Sequence, residues 1–477
     1  MISTPEGRIT SPKYTSMKSL LVGLSTAFAI TAFGQSQPYP ESVDFPAGWG
    51  APSPQPDRII LTFSGDPSRT QSVTWRTDTS VRAALAQVSI AHGAPRLRKT
   101  AVDVPAVTTR LDGRGVLTAG AVSHHHSATF TGLQPGTLYA YRVGDGRHWS
   151  EWFQFRTAAE GEEPFTFLYV GDAQNYIFEL WSRLIRKGFQ QAPGARFIIH
   201  AGDLVNDAHS ERQWSEWFAA GGWLHGMLPS VPVTGNHEYR PLTAEDAKAR
   251  RSSLSVQWRH QFTLPENGPS GLEETAYWFD YQGARIVVLN SMDREQAQRD
   301  WLDSLLTGNP NRWTIVSFHF PLYSTTGDRD NRELRELWKP VFDKHHVDLV
   351  LQGHDHTYAR GRAWSQATNA ATGVNRRDRR SGTVYVVSVS GGKMYDFKKG
   401  GWEGYDATLE RKAENTQLFQ TVRIDGDRLR FQSFTAAGEL YDAFDLRKRR
   451  KGRDARFRER MPATPERVHD NTVPHYH

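Results

Sequence analysis

Phe165-Thr166-Phe167-Leu168-Tyr169-Val170-Gly171-Asp172-Ala173-Gln174 is the stretch whose reading decides the fold. A nearly unbroken apolar run enters Gly-Asp and then a polar turn, the form of a strand buried on both faces that delivers a carboxylate at its end. The form recurs: Phe197 to His200 leads into Gly202-Asp203, Trp313 to Phe318 into His319, and Val347 to Leu351 into Gly353-His354. Gly283 to Leu289 and Gly382 to Val389 add further apolar runs, with amphipathic stretches between. An α/β domain is therefore expected over 164–446, with its polar strand ends converging on one edge, where open α/β sheets place their chemistry.

Upstream the pattern differs. Between Asp57 and Ala158, short runs rich in β-formers (Ile59 to Phe63, Ser72 to Trp75, Ala128 to Phe130, Leu138 to Val143, Trp152 to Phe155) alternate with turns and show no helical period. That pattern predicts a β-sandwich over 57–158. Gly132-Leu133-Gln134-Pro135-Gly136-Thr137-Leu138-Tyr139 resembles the turn of a fibronectin type III domain, in which a tyrosine ties a corner between strands. Two folded units also suit 477 residues, of which 38% are hydrophobic and 23% charged, since a chain of this length exceeds one compact core.

The ends read as accessory. Lys18, the apolar run Leu20 to Phe33 and the small residues flanking Phe33 predict an export signal over 1–34, too short to span a membrane, followed by a Pro- and Gly-rich lead-in over 35–56. The formal charge of +6 is carried entirely by 447–477, which holds ten Lys/Arg and four Asp/Glu. The body therefore offers no nucleic-acid surface, and the end is expected to be a basic, partly disordered tail. The chain has no cysteine, which excludes disulfides, thiolate metal sites and cysteine nucleophiles, so any metal must be held by nitrogen and oxygen.

Five motifs carry the chemistry in order: Gly171-Asp172-Ala173-Gln174, Gly202-Asp203-Leu204-Val205-Asn206, Gly235-Asn236-His237-Glu238, Val316-Ser317-Phe318-His319 and Gly353-His354-Asp355-His356. A carboxylate able to bridge two cations, imidazoles to complete each ion and a neutral amide are what a dinuclear site needs. The glycines before Asp172, Asp203, Asn236 and His354 are expected to turn the chain sharply off its strand. Singly, Asp172 and Asp203 would read as helix N-caps. His124-His125-His126 alternates across a strand and is expected to be structural or exposed.

The ordered set resembles the calcineurin-like metallophosphoesterases, and with the fibronectin-like domain in front it is similar to the purple acid phosphatases. The implied architecture is an all-β sandwich followed by an α/β domain of two mixed sheets with flanking helices. The implied cofactors are two metal ions, chosen among iron, zinc and manganese. Asp172, Asp203 and His356 would hold the first, and Asp203 would bridge to a second held by Asn236, His319 and His354. His237 would stand beside the phosphate as the catalytic acid. Two departures concern the first metal: where purple acid phosphatases carry a tyrosine this chain has Asn206, and where the wider superfamily carries a histidine it has Gln174. Either amide, or water, is left to complete that ion. Beyond His319, where plant relatives carry substrate-contacting histidines, Arg329 is the candidate phosphate contact.

The expected function is an exported phosphatase acting on small phosphomonoesters by attack of a metal-bound hydroxide. A phosphodiesterase or nucleotidase on the same core is the alternative, and a decayed, non-catalytic surface binding protein the more distant one.

Overall fold

The computed structural model describes residues 50–117, 120, 122–326, 329–363, 382–397, 402, 405, 407–448 and 455–468. The expected signal segment, most of the lead-in, and 449–454 and 469–477 of the basic tail lie outside these residues.

The N-terminal domain contains β1 (Asp57–Thr62), β2 (Gln71–Thr77), β3 (Leu85–Ile90), β4 (Val102–Pro105), β5 (Val107–Asp112), β6 (Val122–Phe130), β7 (Leu138–Gly144) and β8 (Phe153–Arg156). One layer runs β1-β2-β6-β5 and the other β4-β3-β7-β8. Leu61, Val73, Trp75 and Phe130 from the first pack against Ala86, Tyr141, Val143 and Phe155 from the second, forming a sandwich core. The Tyr139 hydroxyl accepts the Gln134 N–H at 2.8 Å, which ties the expected corner. The histidine run serves this sheet: His126 bridges Thr77 and Thr108, and His124 contacts the Val81 carbonyl.

The second domain adds β9 (Phe165–Val170), β10 (Ile198–His200), β11 (Ser230–Pro232), β12 (Tyr239–Arg240), β13 (Ser253–Leu254), β14 (Tyr277–Tyr281), β15 (Ala284–Val288), β16 (Trp313–Ser317), β17 (Leu349–Gln352), β18 (Tyr358–Ala363), β19 (Thr383–Val387), β20 (Ala407–Ala413), β21 (Leu418–Asp425), β22 (Arg428–Thr435), β23 (Leu440–Lys448) and β24 (Ala455–Glu459). One mixed sheet is ordered β14-β15-β16-β17-β19-β18-β20. The other runs β24-β23-β22-β21-β9-β10-β11 and continues into β1-β2-β6-β5. Between the sheets lies a core that joins Phe167, Ile199 and Val231 to Ile286, Ile315, Leu349 and Val384. Helices Glu295–Thr307 and Arg332–His345 cover the outer face of the first-named sheet through Leu302, Leu306, Trp338 and Phe342.

The sandwich is joined directly to the second domain: β1 pairs in parallel with β11, Thr62 opposite Ser230, so one sheet of the second domain runs on into it. A buried ion cluster locks the junction, with Glu211 at 2.6 Å from Arg58 and 2.5 Å from Arg76. Part of the basic tail is ordered, since β24 pairs with β23. Its apolar residue explains this: Phe457 stacks on Phe444 at 5.3 Å, while Arg460 reaches Asp445 at 2.7 Å.

Candidate metal centre

Every candidate ligand stands just beyond the carboxyl end of a strand. Asp172 follows β9, Asp203 follows β10 and Asn236 follows β11, three neighbouring parallel strands of one sheet. His319 follows β16, and His354 and His356 follow β17, two neighbouring parallel strands of the other. Main-chain hydrogen bonds hold these turns together. Ala173 and Gln174 donate N–H to the Asp203 carbonyl at 3.1 Å, and Gly353 donates to the His319 carbonyl at 3.1 Å.

Two groups of donor atoms result, one from Asp203, His319 and His354, the other from Asp172, Asp203 and His356, each group's atoms lying within 4.8 Å of one another. Asp203 belongs to both. Its Oδ2 is 3.1 Å from His319 Nε2, which also lies 3.2 Å from Asn236 Oδ1 and 3.2 Å from His354 Nδ1. His356 Nε2 is 3.7 Å from Asp172 Oδ1. Asp172 and Asp203 are almost wholly buried, as are His319 and His356.

The ring orientations suit metal binding. His319 Nδ1 donates to the Ala201 carbonyl and His356 Nδ1 to the Lys393 carbonyl, both at 2.8 Å. A carbonyl can only accept, so each Nδ1 carries a hydrogen and each Nε2 is the nitrogen turned to the cleft, open to a metal ion once it is unprotonated. The charges suit it too. Burial drives His319 down, yet the Asp203 and Asp172 carboxylates outweigh it and hold the ring up at about 9. Burial, with Asp203 beside it, pushes Asp172 up to about 7. Burial would raise Asp203 as well, but His319 and His237 hold it well below the usual carboxylate range. Two buried carboxylates thus draw positive charge to one point, and the donor set of carboxylate, imidazole and amide fits borderline cations.

The backbone is strained at the ligands themselves, since Asp203, His354 and His356 have φ of 50°, 76° and 49°. Left-handed non-glycine residues cost about 1–3 kcal/mol each and gather where surrounding structure over-determines them. The expected role of the preceding glycines is correct only for Gly202, with φ of 90°. Gly235 is extended, and Gly353 is not left-handed either. These two are glycine for lack of space: a Cβ on Gly235 would lie 2.5 Å from the Asp203 nitrogen, and one on Gly353 2.5 Å from Asp172 Oδ2.

The remaining candidates divide. Gln174 is buried, with Nε2 at 2.8 Å from His356 Nε2 and 3.1 Å from Asp203 Oδ2. Among the described residues, the Asn206 side chain has no recorded hydrogen bond, whereas its main-chain carbonyl accepts from His237 Nδ1 at 2.5 Å and Arg240 Nη2 at 2.6 Å. His237 therefore turns Nε2 to the cleft, 3.8 Å from Asp203 Oδ2. Burial lowers its pKa, and the charges of Lys393 and Arg240 add to this. Arg329 lies at the rim with Nη1 3.2 Å from the His354 carbonyl and 3.4 Å from Asp355 Oδ1, its guanidinium over Tyr395.

Sequence reading missed the residues that support these ligands. Glu238 accepts three main-chain N–H groups, from Asp203, Leu204 and Gly235. Asp355 Oδ2 accepts from Ser324 Oγ at 2.8 Å and from the Thr325 N–H at 2.6 Å, fixing the loop that carries Arg329. Both stand inside the quoted motifs, and an acid between or beside metal ligands was the available signal.

Comparison with known proteins agrees with this geometry. Residues 56–157 match the family model of the purple acid phosphatase N-terminal domain, and 165–358 that of the calcineurin-like phosphoesterases. Human (Homo sapiens) acid phosphatase type 7 is 29% identical over 340 residues, covering 65% of this chain and 72% of that one. The Fe(3+)-Zn(2+) purple acid phosphatase 12 of Arabidopsis thaliana is 25% identical over 287 residues, 56% of this chain and 59% of that one. A purple acid phosphatase from yellow lupin (Lupinus luteus) seeds shares the fold, with a TM-score of 0.68 at 18% identity over 83% of this chain and 75% of that one. From its two matched domains, its relatives and its ligand groups, the chain belongs to the purple acid phosphatase branch of the calcineurin-like metallophosphoesterases and is a metal-dependent phosphoester hydrolase.

Proposed function

We propose that the chain is an exported phosphatase that cleaves phosphomonoesters at a dinuclear metal centre bridged by Asp203. The observation that carries this reading is the membership of Asp203 in both donor groups. Asp172 and His356 would complete the first ion, and Asn236, His319 and His354 would hold the second. When bound, such a pair of ions lowers the pKa of its water and neutralises the phosphate oxygens.

The chain's own residues orient and protonate. The Ala201 and Lys393 carbonyls fix the two imidazoles, and Glu238 fixes the turns that carry Asp203 and Asn236. His237, pinned through Nδ1, places Nε2 to give a proton to the leaving oxygen. Among the described residues the hydrogen bonds of Arg329 use Nη1, and its Nε and Nη2 would serve a phosphate oxygen. Export rests on Lys18 and the apolar run Leu20 to Phe33. Among the described residues, no helix is long and apolar enough to cross a membrane.

A substrate panel on the metal-loaded chain tests the reading, with alkyl and aryl phosphomonoesters set against bis-esters and nucleotides. A higher kcat/KM on monoesters is expected. Preference for bis-esters would make it a phosphodiesterase, and no turnover with both metals bound would leave it a binding protein. Sequencing the N-terminus of the exported product should find a start near Gln35, and a mature chain still beginning before Leu20 would contradict export by a cleaved signal.

A further inference from the structure

Gln174 is wholly buried and ends in the middle of the first donor group. Its Nε2 faces His356 Nε2 at 2.8 Å and Asp203 Oδ2 at 3.1 Å, while its Oε1, equally buried, has no hydrogen-bond partner among the described residues. Both neighbours of the amide nitrogen are lone-pair atoms, because His356 donates Nδ1–H to the Lys393 carbonyl and Asp203 is a carboxylate. A buried carbonyl without a hydrogen-bond partner is left desolvated and uncompensated, so this orientation is unfavourable on the far side of the amide. The terminal torsion of glutamine is broad and roughly two-fold, and a half-turn exchanges oxygen and nitrogen with little movement of anything else.

A cation between Asp172, Asp203 and His356 would reverse the preference. It would draw the lone pairs of Asp203 and His356 to itself, and an amide N–H aimed at the same point would be repelled. The turned amide would present Oε1 instead, a neutral oxygen donor of the kind that borderline and hard cations accept.

We propose that Gln174, with its amide turned over, donates Oε1 to the metal ion held by Asp172, Asp203 and His356, and that this site consequently selects a divalent ion. The inference rests on the dinuclear reading above. Its second part follows from charge. Asp172 and the shared Asp203 are the only anions in the group, and an amide adds none, so the site lacks the extra negative charge that a phenolate would offer a trivalent ion. Tyr395 is the tyrosine that could supply one from nearby, with its ring 4.7 Å from that of His356.

The test uses the full mature chain, stripped of metal and reloaded, with Gln174→Leu to remove both polar atoms and Gln174→Glu to keep the oxygen and add charge. Metals per chain, affinity by competition titration and the visible spectrum of the Co²⁺-loaded protein are the readouts, with thermal unfolding of the metal-free proteins as a control on folding. Wild type should bind two ions. Gln174→Leu should keep one and lose more than about 100-fold in affinity for the other, beyond the 10–100-fold typical of a group that only supports a ligand. Gln174→Glu should bind the first ion at least as tightly as wild type, and it provides the comparison if the leucine variant does not fold. A Co²⁺ spectrum identical in wild type and both variants would overturn the assignment of Gln174. An intense visible band on ferric-loaded wild type would overturn the divalent selectivity and point to Tyr395. Fewer than two ions on wild type would instead overturn the dinuclear reading, which separates the two failures.

Discussion

Glu238 Oε2 accepts the main-chain N–H of Asp203 at 2.9 Å and that of Gly235 at 2.7 Å, so one buried carboxylate ties the turn bearing Asp203 to the turn bearing Asn236. Its other oxygen takes the Leu204 N–H at 2.9 Å. Removing it by Glu238→Ala strands three buried donors, each worth about 1–3 kcal/mol. The variant should melt well below wild type and bind metal about 10–100-fold more weakly. Glu238→Gln keeps one acceptor oxygen and should fall between the two. Thermal unfolding and metal titration check this, and an alanine variant equal to wild type in both would show that the turns hold themselves.

Glu211 pairs with two buried guanidinium groups, Arg58 and Arg76, the second of which is also held by Asp57, where the sandwich meets the phosphoesterase domain. Breaking a buried pair by removing one partner typically costs about 3–5 kcal/mol. Glu211→Ala should lose that much in denaturant unfolding, whereas Glu160→Ala, whose partner Arg69 is exposed, should change stability by less than about 1 kcal/mol. Equal effects of the two would deny the junction its structural weight.

Asp348 and Lys448 pair at 2.7 Å in the interior. Burial outweighs the lysine and holds Asp348 up at about 6, above the ordinary aspartate range. The folded chain therefore binds this proton more tightly than the unfolded one. Its contribution to stability is full below about pH 4 and is lost as pH rises through about 6. Lys448→Met removes the compensating charge, so its deficit should be small near pH 4 and approach about 3–5 kcal/mol near pH 8. Unfolding curves at the two pH values check this, and a deficit independent of pH would contradict it.

His237 is the residue whose two readings predict different kinetics. As an acid it should contribute about 10²–10⁴-fold, so His237→Asn should lose turnover in that range with both metals retained. The loss should be larger on alkyl phosphates, whose alcohols leave poorly without a proton, than on nitrophenyl phosphate. Restoration by added metal, alike on both esters, would reduce it to a support for Asn236.

The candidate ligands were legible because each closes a buried apolar run: Val170 before Gly171-Asp172, Ser317 and Phe318 before His319, Leu351 and Gln352 before Gly353-His354. The strands β4 and β5 were not, since most of their residues are exposed and leave no apolar run to read. β24 was hidden in a charge run, where a single residue, Phe457, supplies the anchor. Glu238 escaped for a different reason. It receives main-chain hydrogens from Asp203 and Leu204, distant in sequence, as well as from nearby Gly235, so only its place beside Asn236 and His237 hints at the role. The positive φ of Asp203, His354 and His356 was equally invisible, because neither aspartate nor histidine requires that conformation.

Metal content of Asp203→Asn, measured beside wild type after identical loading, tests the shared carboxylate most directly. Loss of its charge weakens both ions at once, so the account predicts two metals on wild type and fewer than one on the variant, with Asp172→Asn and His354→Ala each keeping about one. Two tightly held metals on Asp203→Asn would contradict it.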